Sequence, residues 1–345
     1  MKTRLASAFS FSSDGGMLKR ASITGLGFLV ILVVLLGFYW SGEPAAFSVQ
    51  QRTAQKLALV GNDYVVGSTT TVALITVAET LLNKPGGYLS NDISPPGIYL
   101  DNIPNWEFGA LVQVRDLART FRESFSRSQS QSTEDPDLII SEPKFHFSND
   151  SWLFPATESE YAEAIGRLDS YLARISDPAN TDAQFYARAD NLADWLLAVE
   201  SRLGSLSQRL SASVRQSRVN TDTSGETVVT QSAQSTPVRS EVSVKTPWLQ
   251  IDDVFYEARG ATWALMHFLK AVEVDFKDVL EDKNAEASLS QIIRELEASQ
   301  RSIFFPIILN GSGFGVFANH SLAMANYISR ANAAIIDLRN LLSQG

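Results

Sequence analysis

The chain has 345 residues, 45% of them hydrophobic and 19% charged, with a net charge of -9 and no cysteine. It is too apolar for a disordered protein and long enough to bury a sizeable core. The lack of cysteine excludes a disulfide framework, cysteine-ligated zinc, an iron–sulfur cluster and a thiol nucleophile.

The first element is the run Ile23 to Trp40, ITGLGFLVILVVLLGFYW, eighteen residues without a charge. At about 1.5 Å rise per residue, this run with its uncharged flanks covers roughly 27–33 Å, close to a bilayer core. Tyr39 and Trp40 close it, where amphipathic rings favour the headgroup region. Lys2, Arg4, Lys19 and Arg20 precede it against a single acidic residue, Asp14. That bias keeps the N-terminus in the cytoplasm and sends the remainder across. A cleavable signal peptide is the rival reading, but its apolar region is shorter and ends in small residues, whereas the exit here reads SGEPAAF. A buried hairpin helix is the third. The first 42 residues carry +3, so the remaining 303 carry -12 of the total -9. Such a domain repels nucleic acid in the mean field, and nucleic-acid binding is not expected.

Beyond the anchor, Thr70–Leu82 reads as an apolar helix ended by Lys84-Pro85-Gly86-Gly87. Asn83–Asn105 then holds four prolines and three glycines in twenty-three residues. Connections this long in compact domains are often binding loops or lids. This one presents Asn91, Asp92 and Asp101, followed by Trp106, Glu107 and Arg115 on the next helix, Trp106–Phe125. Two carboxylates beside an aromatic platform suit a glycan, or a general acid and base for glycoside cleavage. The competing structural reading makes the two aspartates turn and capping residues and Trp106 a core residue. That reading carries the greater weight.

A further helix is expected through Tyr161, Ile165, Leu168, Leu172 and Ile175, with Thr157 and Glu160 as a capping box at its start. The strongest periodicity follows. Leu192–Val214 and Ile251–Val279 repeat apolar residues at steps of three and four, the pattern of helices packed nearly parallel or antiparallel. Between them, residues 220–246 are rich in Ser, Thr, Val and Gln. They are expected to form a flexible loop joining two antiparallel helices, with a β-hairpin from Val228-Val229 and Val242, Val244 as the alternative. Two last helices are expected near Glu286–Phe305 and Leu322–Leu342, separated by PIILNGSGFGVF. Its GSGFG resembles a phosphate-cradling loop but lacks the Lys-Ser/Thr pair, so a tight turn is the better reading. His146, His267 and His320 are scattered in sequence and show no metal-ligand spacing. No metal site and no cofactor are expected.

The expected fold is mainly α: one N-terminal transmembrane helix, then a helical-hairpin or bundle domain with a long Pro/Gly-rich irregular section. Several segments together, LLNKPGGYLSNDISPPG (81–97), DNIPNWEFGALVQVRD (101–116), SRSQSQSTEDPDL (126–138), FYARADNL (185–192) and LGSLSQRLSASV (203–214), resemble a proteobacterial family known as domain of unknown function 2333. The resemblance implies a bacterial envelope protein with a single membrane anchor, and it brings no activity, cofactor or catalytic residue. The organisation expected is a cytoplasmic tail (1–22), a span of the inner membrane (23–40) and a periplasmic domain (43–345). The function expected is binding or scaffolding of a protein partner in the envelope, with an anchored peptidoglycan or glycan hydrolase as the alternative. The heptad seams would equally serve a homo-oligomer.

Overall fold

Helix α1 (Gly15–Trp40) carries the apolar run as one continuous rod. Its Ser22–Trp40 portion is long and apolar enough to cross a membrane and is almost entirely unburied. The structure, a computed structural model, describes residues 15–128, 133–180, 182–214, 216–219, 241–303 and 307–344. The remaining described helices are α2 (Val49–Val60), α3 (Ser68–Asn83), α4 (Asn102–Thr120), α5 (Leu138–Phe145), α6 (Thr157–Ser176), α7 (Ala189–Ser211), α8 (Ile251–Asp275), α9 (Lys277–Asp282), α10 (Glu286–Ser299) and α11 (His320–Ser343). Strands β1 (Gln216–Val219) and β2 (Glu241–Val244) pair antiparallel. Helix α4 ends in a π-helical turn, Phe121–Phe125.

One apolar core runs through the helical body. Its axis is the crossing of α4 and α8, which lie parallel and touch backbone to backbone. A methyl group added at Gly260 would sit 1.8 Å from the Trp106 carbonyl oxygen, and one at Gly109 would sit 1.9 Å from that of Glu257. Only glycine permits this approach. Helices α3 and α10 run antiparallel to α8, and α11 runs antiparallel to α7 along its length.

The contacts define two ends. At the distal end the Asp275 carboxylate, closing α8, accepts from the Thr70 backbone N–H at 2.6 Å and from Tyr64 Oη at 3.0 Å. Asn62 donates there to Ser176, the last residue of α6. At the proximal end α4 and α8 both begin, with Asn105 Nδ2 donating to Asp253 at 2.8 Å, and the His320 ring opening α11 lies against Phe255. Helix α1 joins the body at this end. Gly37 faces Pro96 and Leu100, and the Trp40 ring lies on Gly86, whose φ of 88° and lack of Cβ make room for it.

Four expectations need correction. The helices α7 and α8 do not form a hairpin with each other: α7 packs mainly along α11 and α8 along α4. Thr157 is the first residue of α6 rather than its cap; its hydroxyl donates to the carbonyls of Ser148 and Ser151, and Glu160 is drawn to Lys144 at 2.7 Å. The helix expected to reach Phe305 stops at Ser299. Residues 241–244 are a strand rather than loop, paired with 216–219. Residues 220–240 lie outside the described residues.

Candidate functional site

The 83–107 connection folds back onto itself around one buried carboxylate. Glu107, in the first turns of α4, is fully buried and pairs with the equally buried Lys84 ammonium. Its carboxylate also accepts from the backbone N–H groups of Leu89 at 2.9 Å and Ser90 at 2.8 Å. Burial pushes the Glu107 carboxyl above the usual range, and the Lys84 charge and the hydrogen bonds oppose that shift. Lys84 spends another donor on the Gly87 carbonyl. The loop is therefore held shut by a charge that water does not reach.

The other expected residues are engaged in the same way. Asn91 donates to the Ser151 carbonyl at 2.9 Å and to Glu158 at 2.7 Å, tying the loop to the start of α6. Asp92 is part-buried; burial first, and the Glu158 charge second, raise its carboxyl above the usual range. Asp101 is the N-cap of α4 and accepts from Asn102 N–H at 2.9 Å. Trp106 is fully buried against Trp263, ring centroids 5.1 Å apart. Arg115 donates to the carbonyls of Phe145 and Phe147 at 2.7 and 2.9 Å and to Tyr161 Oη at 3.2 Å. The structure brings Glu107, Asn91 and Asp92 into one loop framework, sets Trp106 in the core behind it, and leaves Asp101 and Arg115 on separate contacts. No open cleft presents two of these carboxylates to a substrate: Glu107 is sealed and Asp101 is a cap.

The residues that sequence reasoning passed over lie on α8. Arg259, Trp263 and His267 recur every four residues and so share one face. That face receives the segment leaving α1. The buried Arg259 guanidinium forms a two-pronged ion pair with Glu43, with Nε to Oε1 at 2.6 Å, and donates to the carbonyls of Ser299 and Arg301 at 3.1 and 3.0 Å. His267 Nε2 accepts from the Phe47 backbone N–H at 3.0 Å while Nδ1 lies 2.7 Å from the Trp263 carbonyl oxygen. This pair of bonds fixes a neutral imidazole with its proton on Nδ1. Phe47 stacks on that ring at 3.9 Å. Burial pushes the His267 imidazole down to about 4. The readable signal was an Arg and a His, eight apart, inside an otherwise apolar helical stripe.

Two recesses flank Arg259. One, of 410 Å³, is lined by Ser41, Glu43, Pro44, Tyr256, Gln300 and Ile303. The other, of 230 Å³, lies between Phe255, Ser299, His320 and Tyr327. Neither contains a nucleophile hydrogen-bonded to a base. Among the described residues no three His, Asp or Glu side chains gather as a metal site would need.

The family model for an uncharacterised protein conserved in bacteria, DUF2333, matches residues 13–345. The chain belongs to that family. The match takes in α1, the 83–107 framework and the Glu43–Arg259 clasp together. No curated protein and no solved structure matches the chain.

Proposed function

We propose that this protein is a single-pass component of the bacterial inner membrane, with its N-terminus in the cytoplasm and its helical body in the periplasm, acting as a binding or scaffolding element of the cell envelope. The observation that carries this reading is the join between α1 and the body. An apolar, unburied helix long enough to span a bilayer runs straight into a segment locked to α8 by Glu43–Arg259 and Phe47–His267. Such a join holds the body at a set orientation to the membrane, which suits a platform. The charge asymmetry around α1 supports the topology.

The same geometry weighs against the hydrolase alternative. A glycosidase needs two carboxyl groups facing each other across a space a sugar can enter, about 5–9.5 Å apart. Glu107 is spent on backbone N–H groups and Lys84, and Asp101 on a helix cap, which leaves Asp92 alone of the loop's carboxylates.

Paired fusions after the C-terminal residue test the topology. Alkaline phosphatase should be active and a cytoplasm-only fluorescent protein dark; the reverse pattern overturns the localisation. Photocrosslinking from the distal surface in intact membranes tests the scaffold reading. A discrete crosslinked partner is expected, and a chain that crosslinks to nothing but lipid refutes it.

A further inference from the structure

Most of the apolar side chains on the body that are more than half exposed lie at one end. In the 83–101 loop, Ile93, Ile98 and Tyr99 are each more than half exposed, although the same loop holds Pro96 and Leu100 against Gly37 in the last turns of α1. The short turn leading into α8 exposes Trp248 and Leu249, at 78% and 76%. They lie about ten residues before Arg259, or roughly 15 Å along the helix, on the side from which the anchor arrives. The turn between Asn310 and Asn319, pinned by pairing of those two residues, exposes Phe314, Val316 and Phe317. It opens α11, whose His320 touches Phe255 near the start of α8. A fourth loop, tied to Asn91 through Ser151, exposes Trp152, Leu153 and Phe154. Outside these loops, Ile307 beside the third and α1, the described large apolar residues more than half exposed are Leu59 and Leu197. Leu59 is at the distal end, near the residues that meet Ser176.

We infer that these loops form a ring around the base of the anchor that rests in the outer-leaflet interface of the same membrane. The inference builds on the anchored topology proposed above and adds that the body is seated on lipid instead of standing clear of it. The occupant follows from position and shape. The 83–101 loop is level with the final turns of α1, through Gly37 and Trp40, where Tyr39 and Trp40 mark an interface. Its apolar side chains are loop tips on separate elements, rich in Trp, Tyr and Phe, whose rings favour the headgroup boundary. A protein partner would instead call for a contiguous patch with a polar rim. Asp101, Asp252 and Asp253 stand at the same end, close enough to repel one another. These acids offset the exposed Lys245 before Trp248 and Arg301 after α10, so the contact rests on the apolar side chains and depends little on salt.

The chain contains no cysteine, so single cysteines report without background. The full chain carries Tyr99→Cys, Leu249→Cys or Phe317→Cys, with Ile31→Cys in mid-anchor and Leu59→Cys as references. Each is labelled with an environment-sensitive fluorophore and reconstituted in phosphatidylcholine vesicles, with and without phosphatidylglycerol, containing lipids that bear nitroxide quenchers at shallow or deep acyl positions. The three loop labels should emit to the blue of Leu59 and lose at least half as much fluorescence to the shallow quencher as Ile31 loses to the deep one, in low and high salt alike. If Ile31 is quenched but the loop labels behave like Leu59, the seated body is refuted and the anchor stands. If Ile31 is not quenched, the anchor fails and the inference fails with it. Loop labels shielded from water yet not quenched by lipid also refute it, and point to a second copy or another protein on this face.

Discussion

Acid should loosen the join between α1 and the body through a single imidazole. His267 is buried and neutral, accepting from Phe47 N–H on one nitrogen and facing the Trp263 carbonyl with the other. Burial holds it down at about 4 against an ordinary 6.5. The unfolded chain takes up a proton near 6.5 and the folded one only near 4, so the stabilisation is complete above the upper value and drains as pH falls through the window. At about 1.4 kcal/mol for each pH unit, the loss reaches about 3 kcal/mol by pH 4. Carboxylates raised by burial, among them Glu107 and Asp275, act in the opposite direction as they protonate, so the raw curve mixes signs. Comparison with His267→Gln removes that mixture, because the variant keeps every carboxylate and cannot titrate at this position. Urea denaturation of the full chain in nanodiscs, repeated from pH 7 to pH 4, should show the stability difference between the two proteins shrinking by about 3 kcal/mol. The Phe47 amide should lose hydrogen-exchange protection over the same range in the wild-type chain. A difference that stays constant across the range would refute the argument, since no other property of the substitution depends on pH.

The remaining predictions concern the 83–107 framework. Lys84→Met alone leaves the Glu107 carboxylate buried without its cation and should cost about 3–5 kcal/mol, whereas Lys84→Met with Glu107→Gln should recover most of that in the same denaturation assay. Trp106→Ala empties the α4–α8 crossing and should cost about 3–5 kcal/mol, lowering the melting temperature sharply. Asp92→Asn should raise the melting temperature slightly at neutral pH, because the raised Asp92 carboxyl is at a disadvantage when charged, and the gain should vanish as pH falls through the carboxylate range. Asp101→Asn should be nearly silent by the same measurement, since Asn caps a helix about as well as Asp.

The helices visible in the sequence are those with a wide apolar stripe. α1, α3, α6, α7, α8 and α11 all show it, and their bounds fall within a few residues of expectation except at the start of α1, which begins eight residues before Ile23. α2 was invisible because it buries only Val49, Thr53 and Leu57, one residue per turn, and one of them is polar. α5 was hidden by its eight-residue length and an internal proline, Pro143. Periodicity states that a face is apolar but not what meets it. Helices α7 and α8 are joined by a connection long enough to place them against different neighbours, and there the expected hairpin failed. The same limit applies to the site. Asp101 and Trp106 were legible as cap and core because those roles are local. Glu43, Arg259, Phe47 and His267 are more than 200 residues apart in pairs, and their complementarity appears only once α8 lies beside the exit from the anchor.

That complementarity argues against a flexible tether between α1 and the body. A tether would leave residues 41–48 solvated and interchangeable. Here Ser41 Oγ returns to the Gly37 carbonyl at 2.7 Å, Glu43 neutralises Arg259, Phe47 is held by His267 on α8, and Ser48 caps α2 by accepting from Gln51 N–H at 3.3 Å. The segment is an internal part of the fold that continues the anchor. A fragment cut back to Phe47 to make the body soluble would remove Glu43 and leave the Arg259 guanidinium, 5% exposed, without its counter-charge. A buried charge deprived of its partner destabilises by several kcal/mol. Such a fragment would report a weakened body whose α8 no longer has the neighbour it was shaped to meet. The exit from α1 and its clasp therefore belong to the unit that folds.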